Sequence, residues 1–264
     1  MHHYSEDPSK QYHIKVGADD VGRYCILPGD PGRVEKIAKY FDDAAFVSSN
    51  REYTVWTGYL EGEKVSAVST GIGGPSTAIC VEELVKCGAH TFVRTGTCGG
   101  MQEKVLSGDI VIASGSIRAE GTSREYAPIE FPAVADFDVL TAMVKAASDL
   151  KLPYHVGVSQ SKDSFYGQHS PEESAVSYEL INKWNSWLKL GCLASEMEAA
   201  ALFIVAANLG VRSGACFLVA ANQEREKKGL PNPVVRDVDG AVRVAVETVR
   251  NLILADRVRN RIEA

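Results

Sequence analysis

The stretch "SEMEAAALFIVAANLG" (Ser195–Gly210) constrains this chain more than any other. Its nine consecutive apolar residues, 199–207, leave no helical face polar. Such a helix has to be surrounded on every side by other elements. It is also too short for a membrane span, which needs about 20 apolar residues. A chain of 264 residues is long enough to wrap it within one α/β domain. Two glutamates, Glu196 and Glu198, stand at the helix mouth. Ser195 with Glu198 three positions later fits a capping box, which accounts for Glu198 and leaves Glu196 over. Successive helical positions diverge by about 100°, so the two carboxylates are expected to face different ways. Ionised carboxylates only accept hydrogen bonds, and so suit a ligand rich in hydroxyl donors, such as a ribose diol.

Strand-like and helix-like segments alternate along the chain, the pattern of an α/β fold. "RYCILP" reads as a strand and "VEKIAKYF" as an amphipathic helix. "YTVWTGYL" and "KVSAVST" read as a hairpin joined at Glu61-Gly62-Glu63. A helix is expected from Ser76 to a glycine stop at Gly88, then the strands "HTFVRTG" and "GDIVIASGSI" with Gly99-Gly100 between them. "DFDVLTAMVKAASDL" is a helix, "YHVGVSQS" and "VRSGACFLVAAN" are strands, and the tail from Val234 to Asn260 is one long closing helix. No repeat, low-complexity tract or proline-rich linker divides the chain. The expectation is a single domain over 1–264, with residues 1–12 as a flexible N-terminal arm.

A formal charge of −6 argues against nucleic acid or an acidic membrane as a partner, but leaves room for a local basic pocket. The six cysteines lie in or beside apolar segments without a CxxC pair, and read as reduced core thiols of a cytoplasmic protein. The opening "MHHYSEDPSK" lacks the apolar core of a signal peptide.

Three turns combine glycine with arginine or threonine. In "PGDPGR", Gly29 can bring its amide close to a ligand and Arg33 enters the next helix, although Gly-Asp-Pro-Gly is also ordinary turn chemistry. In "RTGTCGG", Arg94 is a charge in an otherwise apolar strand, with Thr97 three positions on. A buried arginine is costly unless paired, so its partner is an anionic ligand or a structural carboxylate. "STGIGGPST" is a glycine-rich strand-to-helix junction suited to phosphate, but lacks the spacing of a P-loop or a dinucleotide fingerprint. "SSNREYTVW" places Arg51 beside Glu52, which alone would be a surface pair. In "SKDSFYGQHSPEES", Phe165 and Gln168 offer an aromatic face and an amide to a flat heterocycle, or else plug the core.

Taken together, "GDPGRVEKIA", "NREYTVW", "STGIGGPSTAICVEEL", "RTGTC", "DSFYGQ" and "SEMEAAALF" resemble the nucleoside phosphorylase-I family, from "HIKV" to the last helix. The resemblance implies a central mixed, partly barrel-like sheet flanked by helices. It also implies reversible phosphorolysis, in which uridine and phosphate give uracil and ribose 1-phosphate, without an organic cofactor. By matched motif, Gly29, Arg33, Arg94 and Thr97 would hold the inorganic phosphate, joined by Arg51 from a neighbouring subunit. Glu196, Met197 and Glu198 would hold the ribose, and His13 of the neighbour would reach its 5′-hydroxyl. Phe165 and Gln168 would meet the base. The smallest active unit would be a homodimer. An interface cation (potassium, sodium or calcium) would be held by Glu52, the Ile72 carbonyl and the Ser76 hydroxyl.

The chain also departs from this family. Many uridine-cleaving members carry an arginine two residues after the glutamine, where this chain has Ser170. Base recognition would then lean on water, His169 or Arg225. Purine-cleaving members and nucleosidases place an aspartate after the "VRSGACFLV" strand, and no acid occurs from Ala220 to Gln223. A non-catalytic nucleoside-binding protein would leave the phosphate set unexplained.

Overall fold

In the computed structural model, which describes residues 5–263, the apolar segments become ten strands of one sheet. They are β1 (Tyr24–Leu27), β2 (Asp42–Asn50), β3 (Tyr53–Leu60), β4 (Glu63–Val68), β5 (Thr91–Gly100), β6 (Ile110–Ala119), β7 (Ala133–Val134), β8 (Tyr154–Lys162), β9 (Ala194–Glu196) and β10 (Arg212–Asn222). Five of them close on themselves: β5 pairs with β10, β10 with β6, β6 with β8, β8 with β9, and β9 returns to β5. The β10–β6 and β9–β5 pairs are antiparallel and the other three parallel. From β5 the sheet continues outward through β1, β4, β3 and β2. The expected mixed, partly barrel-like sheet is the one observed.

Helices α1 (Val34–Ala38), α2 (Gly74–Lys86), α3 (Thr122–Tyr126), α4 (Phe137–Asp149), α5 (Phe165–His169), α6 (Ser177–Lys189), α7 (Ala199–Leu209), α8 (Gln223–Lys227) and α9 (Asp239–Glu263) surround it. The apolar helix of the opening argument is α7, wedged among α2, α3, β6, β8 and β10. Its Leu202, Phe203, Ile204 and Val205 are each exposed by 1% or less. Burying each contributes about 1.5–3 kcal/mol, which fixes the helix and the two glutamates before it. Gly210 ends the helix at φ 68°, a left-handed conformation that favours glycine. A second apolar cluster, including Met143 of α4 and Val246 of α9, packs another part of the sheet.

Several boundaries differ from the sequence reading. Gly99 and Gly100 do not separate two strands; they lie in β5 and pair with Ser195 and Ala194. The second helix starts at Gly74, two residues early, because Pro75 has the φ of a first helical turn. The closing helix starts only at Asp239, whose N–H donates to the Asp237 carboxylate at 3.0 Å. Residues 1–4 of the expected arm lie outside the described residues, while 5–12 form turns without helix or strand. No helix among the described residues is long and apolar enough to cross a membrane. All six cysteines are free and buried.

Candidate active site

The C-terminal ends of β1, β5 and β10 and the start of α7 open onto one cavity of about 810 Å³. Gly29 and Arg33 reach it from the turn after β1, and Arg94 and Thr97 from β5. Glu196, Met197 and Glu198 line it as well, as do Phe165 and Gln168 of α5. Residues scattered over 170 positions of sequence thus share one chamber. A shift in the β10 register between Val219 and Ala221 brings Ala220 and Ala221 to its surface, a common use of an irregular strand next to a site.

Arg94 is buried, 4% exposed, and its partner within the chain is a carboxylate: Nη2 donates to Glu198 Oε2. Its Nη1 makes a long 3.5 Å contact to Thr70 Oγ1, and its Nε, also buried, has no hydrogen-bond partner among the described residues. Among the described residues the Arg33 guanidinium keeps only a 3.7 Å contact with Asp30 Oδ2. Two guanidinium groups therefore face the cavity with donor capacity to spare, the arrangement that grips a tetrahedral oxyanion.

The two glutamates reverse the roles that the capping box suggested. Glu196 lies in β9, not on the helix, and its Oε2 accepts from Glu198 N at 2.8 Å and Ala199 N at 2.9 Å. Ser161 Oγ donates to Glu196 Oε1 and accepts from Ala200 N at 2.9 Å. Glu196 and Ser161 thus satisfy N–H groups that a helix start leaves unpaired. Glu198 makes no side-chain cap; its Oε1 accepts from Gly73 N at 2.6 Å. Nor do the carboxylates face apart, because Glu196 Oε2 lies 3.8 Å from Arg94 Nε. The 100° argument failed because β9 extends the backbone before the helix begins. Burial and then the Glu198 charge push the Glu196 carboxyl above its usual range, against Arg94 and Ser161.

At the far end, Ser195 Oγ donates to Gln168 Oε1 at 2.7 Å, and Gln168 Nε2 donates to Gln223 Oε1 at 3.0 Å. Gln160 Oε1 lies 2.5 Å from the same hydroxyl and shares its one proton, so the firmer hold on the Gln168 amide is through Gln223. Phe165 is half exposed at the cavity and lies 4.5 Å, ring to ring, from His169. Arg225 is not brought to the chamber: its guanidinium donates to the carbonyls of Pro231 at 3.0 Å and Glu103 at 2.7 Å.

His13 and Arg51 do not line this chain's own cavity. They lie together outside it. Asn50 Nδ2 donates to His13 O at 2.7 Å, and the Arg51 guanidinium sits 5.8 Å over the Tyr12 ring. Glu52 and Ile72 are at the cavity mouth, and Ser76 Oγ donates to Ile72 O at 3.1 Å.

Comparison with known proteins fits this geometry. A family profile described as the phosphorylase superfamily matches residues 23–255. The chain belongs to the phosphorylase superfamily. It is 55% identical over 249 residues to a uridine phosphorylase of Treponema pallidum (strain Nichols), covering 94% of this chain and 96% of that one. It is 38% identical to the uridine phosphorylase of Escherichia coli (strain K12), over 93% of this chain and 99% of that one. It is also 41% identical to a guanosine phosphorylase of Halorubrum lacusprofundi, over 92% of this chain and 100% of that one.

Two residues of this phosphorylase-superfamily cavity escaped the sequence reading. Glu226 lines it one turn into α8, just beyond the acid-free segment 220–223. Lys162, at the end of β8, is 9% exposed and lines the cavity together with Gln168. In sequence Lys162 falls just past the strand-like "YHVGVSQS" and so reads as part of the following loop.

Proposed function

We propose that the chain catalyses reversible phosphorolysis of uridine to uracil and ribose 1-phosphate, with inorganic phosphate as co-substrate. The observation that supports this reading is Arg94, a buried guanidinium paired with Glu198 and near Glu196, whose Nε has no hydrogen-bond partner among the described residues. Arg33, Arg94, Thr97 and the Gly29 amide position phosphate on one face of the sugar. Glu198, with Glu196 behind it and Met197 between them, accepts from the ribose hydroxyls. The phosphate oxygen attacks C1′ as the C1′–N1 bond breaks, and the phosphate charge stabilises the cationic sugar between them. Hydrogen bonds from Gln168 strengthen as the leaving base gains negative charge, which favours the transition state over the substrate.

The active unit is a homodimer in which His13 and Arg51 complete the neighbour's site. Their joint placement outside their own cavity supports this. Glu52, the Ile72 carbonyl and Ser76 Oγ gather oxygen ligands near the mouth and fit a hard cation. One chain supplies only a few of the six to eight oxygens that calcium takes, so the fit depends on a second copy. Six free, buried thiols suit a reducing cytoplasm.

The test is uracil release from uridine with and without phosphate. Release should require phosphate; an undiminished rate without it would overturn the reading. A second reading, guanosine phosphorolysis, is favoured by the Halorubrum relative and by Glu226 at the cavity wall. Guanosine turnover exceeding uridine turnover would establish it instead.

A further inference from the structure

Besides Arg94, two cationic side chains are buried among the described residues, Arg118 and Lys162. They differ in how they are satisfied. Arg118 makes five hydrogen bonds, to Ser123 Oγ and to the carbonyls of Ser123, Ala127, Pro128 and Phe131. Its donors are used up by the fold. Lys162 makes one, from Nζ to Ser195 Oγ at 2.8 Å, and enters no ion pair within 4.0 Å among the described residues. An ammonium carries three N–H donors, so two remain. A buried charge with so few partners is costly unless a ligand supplies an acceptor.

Lys162 stands where the main cavity meets a second one of about 680 Å³ behind α5, beside Gln168. Glu196 of β9, Glu198 before α7 and Cys98 of β5 act on it electrostatically, and it acts in turn on His169 of α5. Asp163 follows it in the chain, and Glu226 of α8 lines both cavities. Burial lowers its pKa, with Glu196 and then Glu198 opposing. His169 is likewise pushed down, by burial and then by Lys162, and so tends to be neutral. With Ser170 in the base loop and Arg225 bonded elsewhere, Lys162 is the cation at the base end of the chamber.

We infer that Lys162 is a catalytic residue whose ammonium donates a hydrogen bond to a carbonyl oxygen of the departing pyrimidine. This rests on the uridine reading above. As phosphate oxygen bonds to C1′, the C1′–N1 electron pair passes into the ring and is carried on N1 and the two carbonyl oxygens. Lys162 stabilises that charge and keeps its proton; the uracil anion takes a proton from water after it leaves. Ser195, accepting from Lys162, keeps its one proton for an amide oxygen, with Gln160 Oε1 at 2.5 Å and Gln168 Oε1 at 2.7 Å in reach.

The experiment compares kcat/KM for uridine and 5-fluorouridine in wild type, Lys162→Met and Lys162→Arg. Fluorine makes the leaving base more acidic, so its departure depends less on an external cation. Lys162→Met should lower kcat/KM on uridine about ten- to hundredfold, and much less on 5-fluorouridine. Lys162→Arg, which keeps the charge, should restore much of the loss. Equal losses on both nucleosides would overturn the inference, because a merely structural lysine affects both alike. If Lys162→Met does not fold, Lys162→Gln gives the same comparison. Wild type inactive on uridine would instead overturn the function proposed above.

Discussion

Arg94 and Glu198, 104 positions apart in the chain, are joined by a buried ion pair in the cavity lining. Glu198 also takes the Gly73 amide, so the glycine-rich junction that suits phosphate is engaged by a carboxylate of the protein itself. On the function proposed above, one arginine therefore serves both the ribose-binding glutamate and the phosphate. Neither of these proposed subsites could then be altered without changing the charge that the other one meets.

Glu198→Gln should separate the two subsites. It removes the strong acceptor for ribose hydroxyls, and kcat/KM for the nucleoside should fall about ten- to hundredfold. The same change leaves the Arg94 charge less compensated, so phosphate should bind as well as before or more tightly. Breaking a buried pair costs about 3–5 kcal/mol when the remaining charge is stranded. Added phosphate should return part of that stability as a rise in melting temperature. Separate KM values for the two substrates check this, and weaker phosphate binding would contradict it.

Glu196 is a different case, because it closes the start of α7. Glu196→Ala should cost about 0.5–2 kcal/mol in urea unfolding, the worth of a lost N-terminal cap, while Glu196→Gln keeps an acceptor for the two amides. The pH dependence has a definite sign. The folded-state pKa is raised, by burial and then by Glu198, so the native state binds this proton more tightly than the unfolded chain does. That contribution is fully present below the unfolded glutamate value and is lost as pH rises through the folded one. Glu196→Gln should therefore gain stability relative to wild type from about pH 4 to neutral pH. A constant difference across that window would show that Glu196 carries no raised pKa.

Much of this site can be read from the sequence, and the parts that cannot have physical causes. Nine apolar residues in a row announce α7, and Arg94 announces itself as a charge in a buried strand. β9 is only three residues long and directly precedes α7, so "SEME" reads as a helix start and the capping glutamate is misassigned. β2 is half exposed and irregular in its pairing with β3, and its sequence lacks the alternation that marks a strand. Lys162 looks like loop chemistry in sequence because only closure of the barrel buries the end of β8.

Away from the cavity, Asp256 ties α9 to two strands. Its carboxylate accepts from Arg212 Nη1 at 2.9 Å, from Arg212 Nη2, and from Tyr24 Oη at 2.6 Å. Burial would raise its pKa, but Arg212 and Tyr24 outweigh burial and hold the carboxyl below the usual range. Asp256→Asn should cost about 1–3 kcal/mol at neutral pH, the worth of hydrogen bonds to a charged group. The wild-type contribution is present above the unfolded aspartate value, near 3.9, and is lost as pH falls through the folded one. Denaturant midpoints of the two proteins should therefore differ at neutral pH and converge in acid. Midpoints equally far apart at about pH 2 would refute the assignment.

The last prediction concerns assembly. Arg51 has φ 54° and is exposed at the turn between β2 and β3, outside the lining of its own cavity, while the adjacent Glu52 lines that cavity. A residue outside its own site but one position from the rim can serve a copy related by a twofold axis. Each pair of chains then holds two composite sites. Two Glu52 carboxylates near such an axis would repel unless a cation lay between them. Arg51→Ala subunits should lack the lent phosphate contact, and Glu198→Ala subunits should lack the ribose acceptor. Each variant alone should be nearly inactive. In a mixed dimer, one site takes Arg51 from the Glu198→Ala chain and Glu198 from the Arg51→Ala chain, and that site is whole. Mixing the variants under conditions that exchange subunits should restore up to about half of the activity per mixed dimer. Continued inactivity, with exchange verified by native mass spectrometry, would mean that each site is built by one chain.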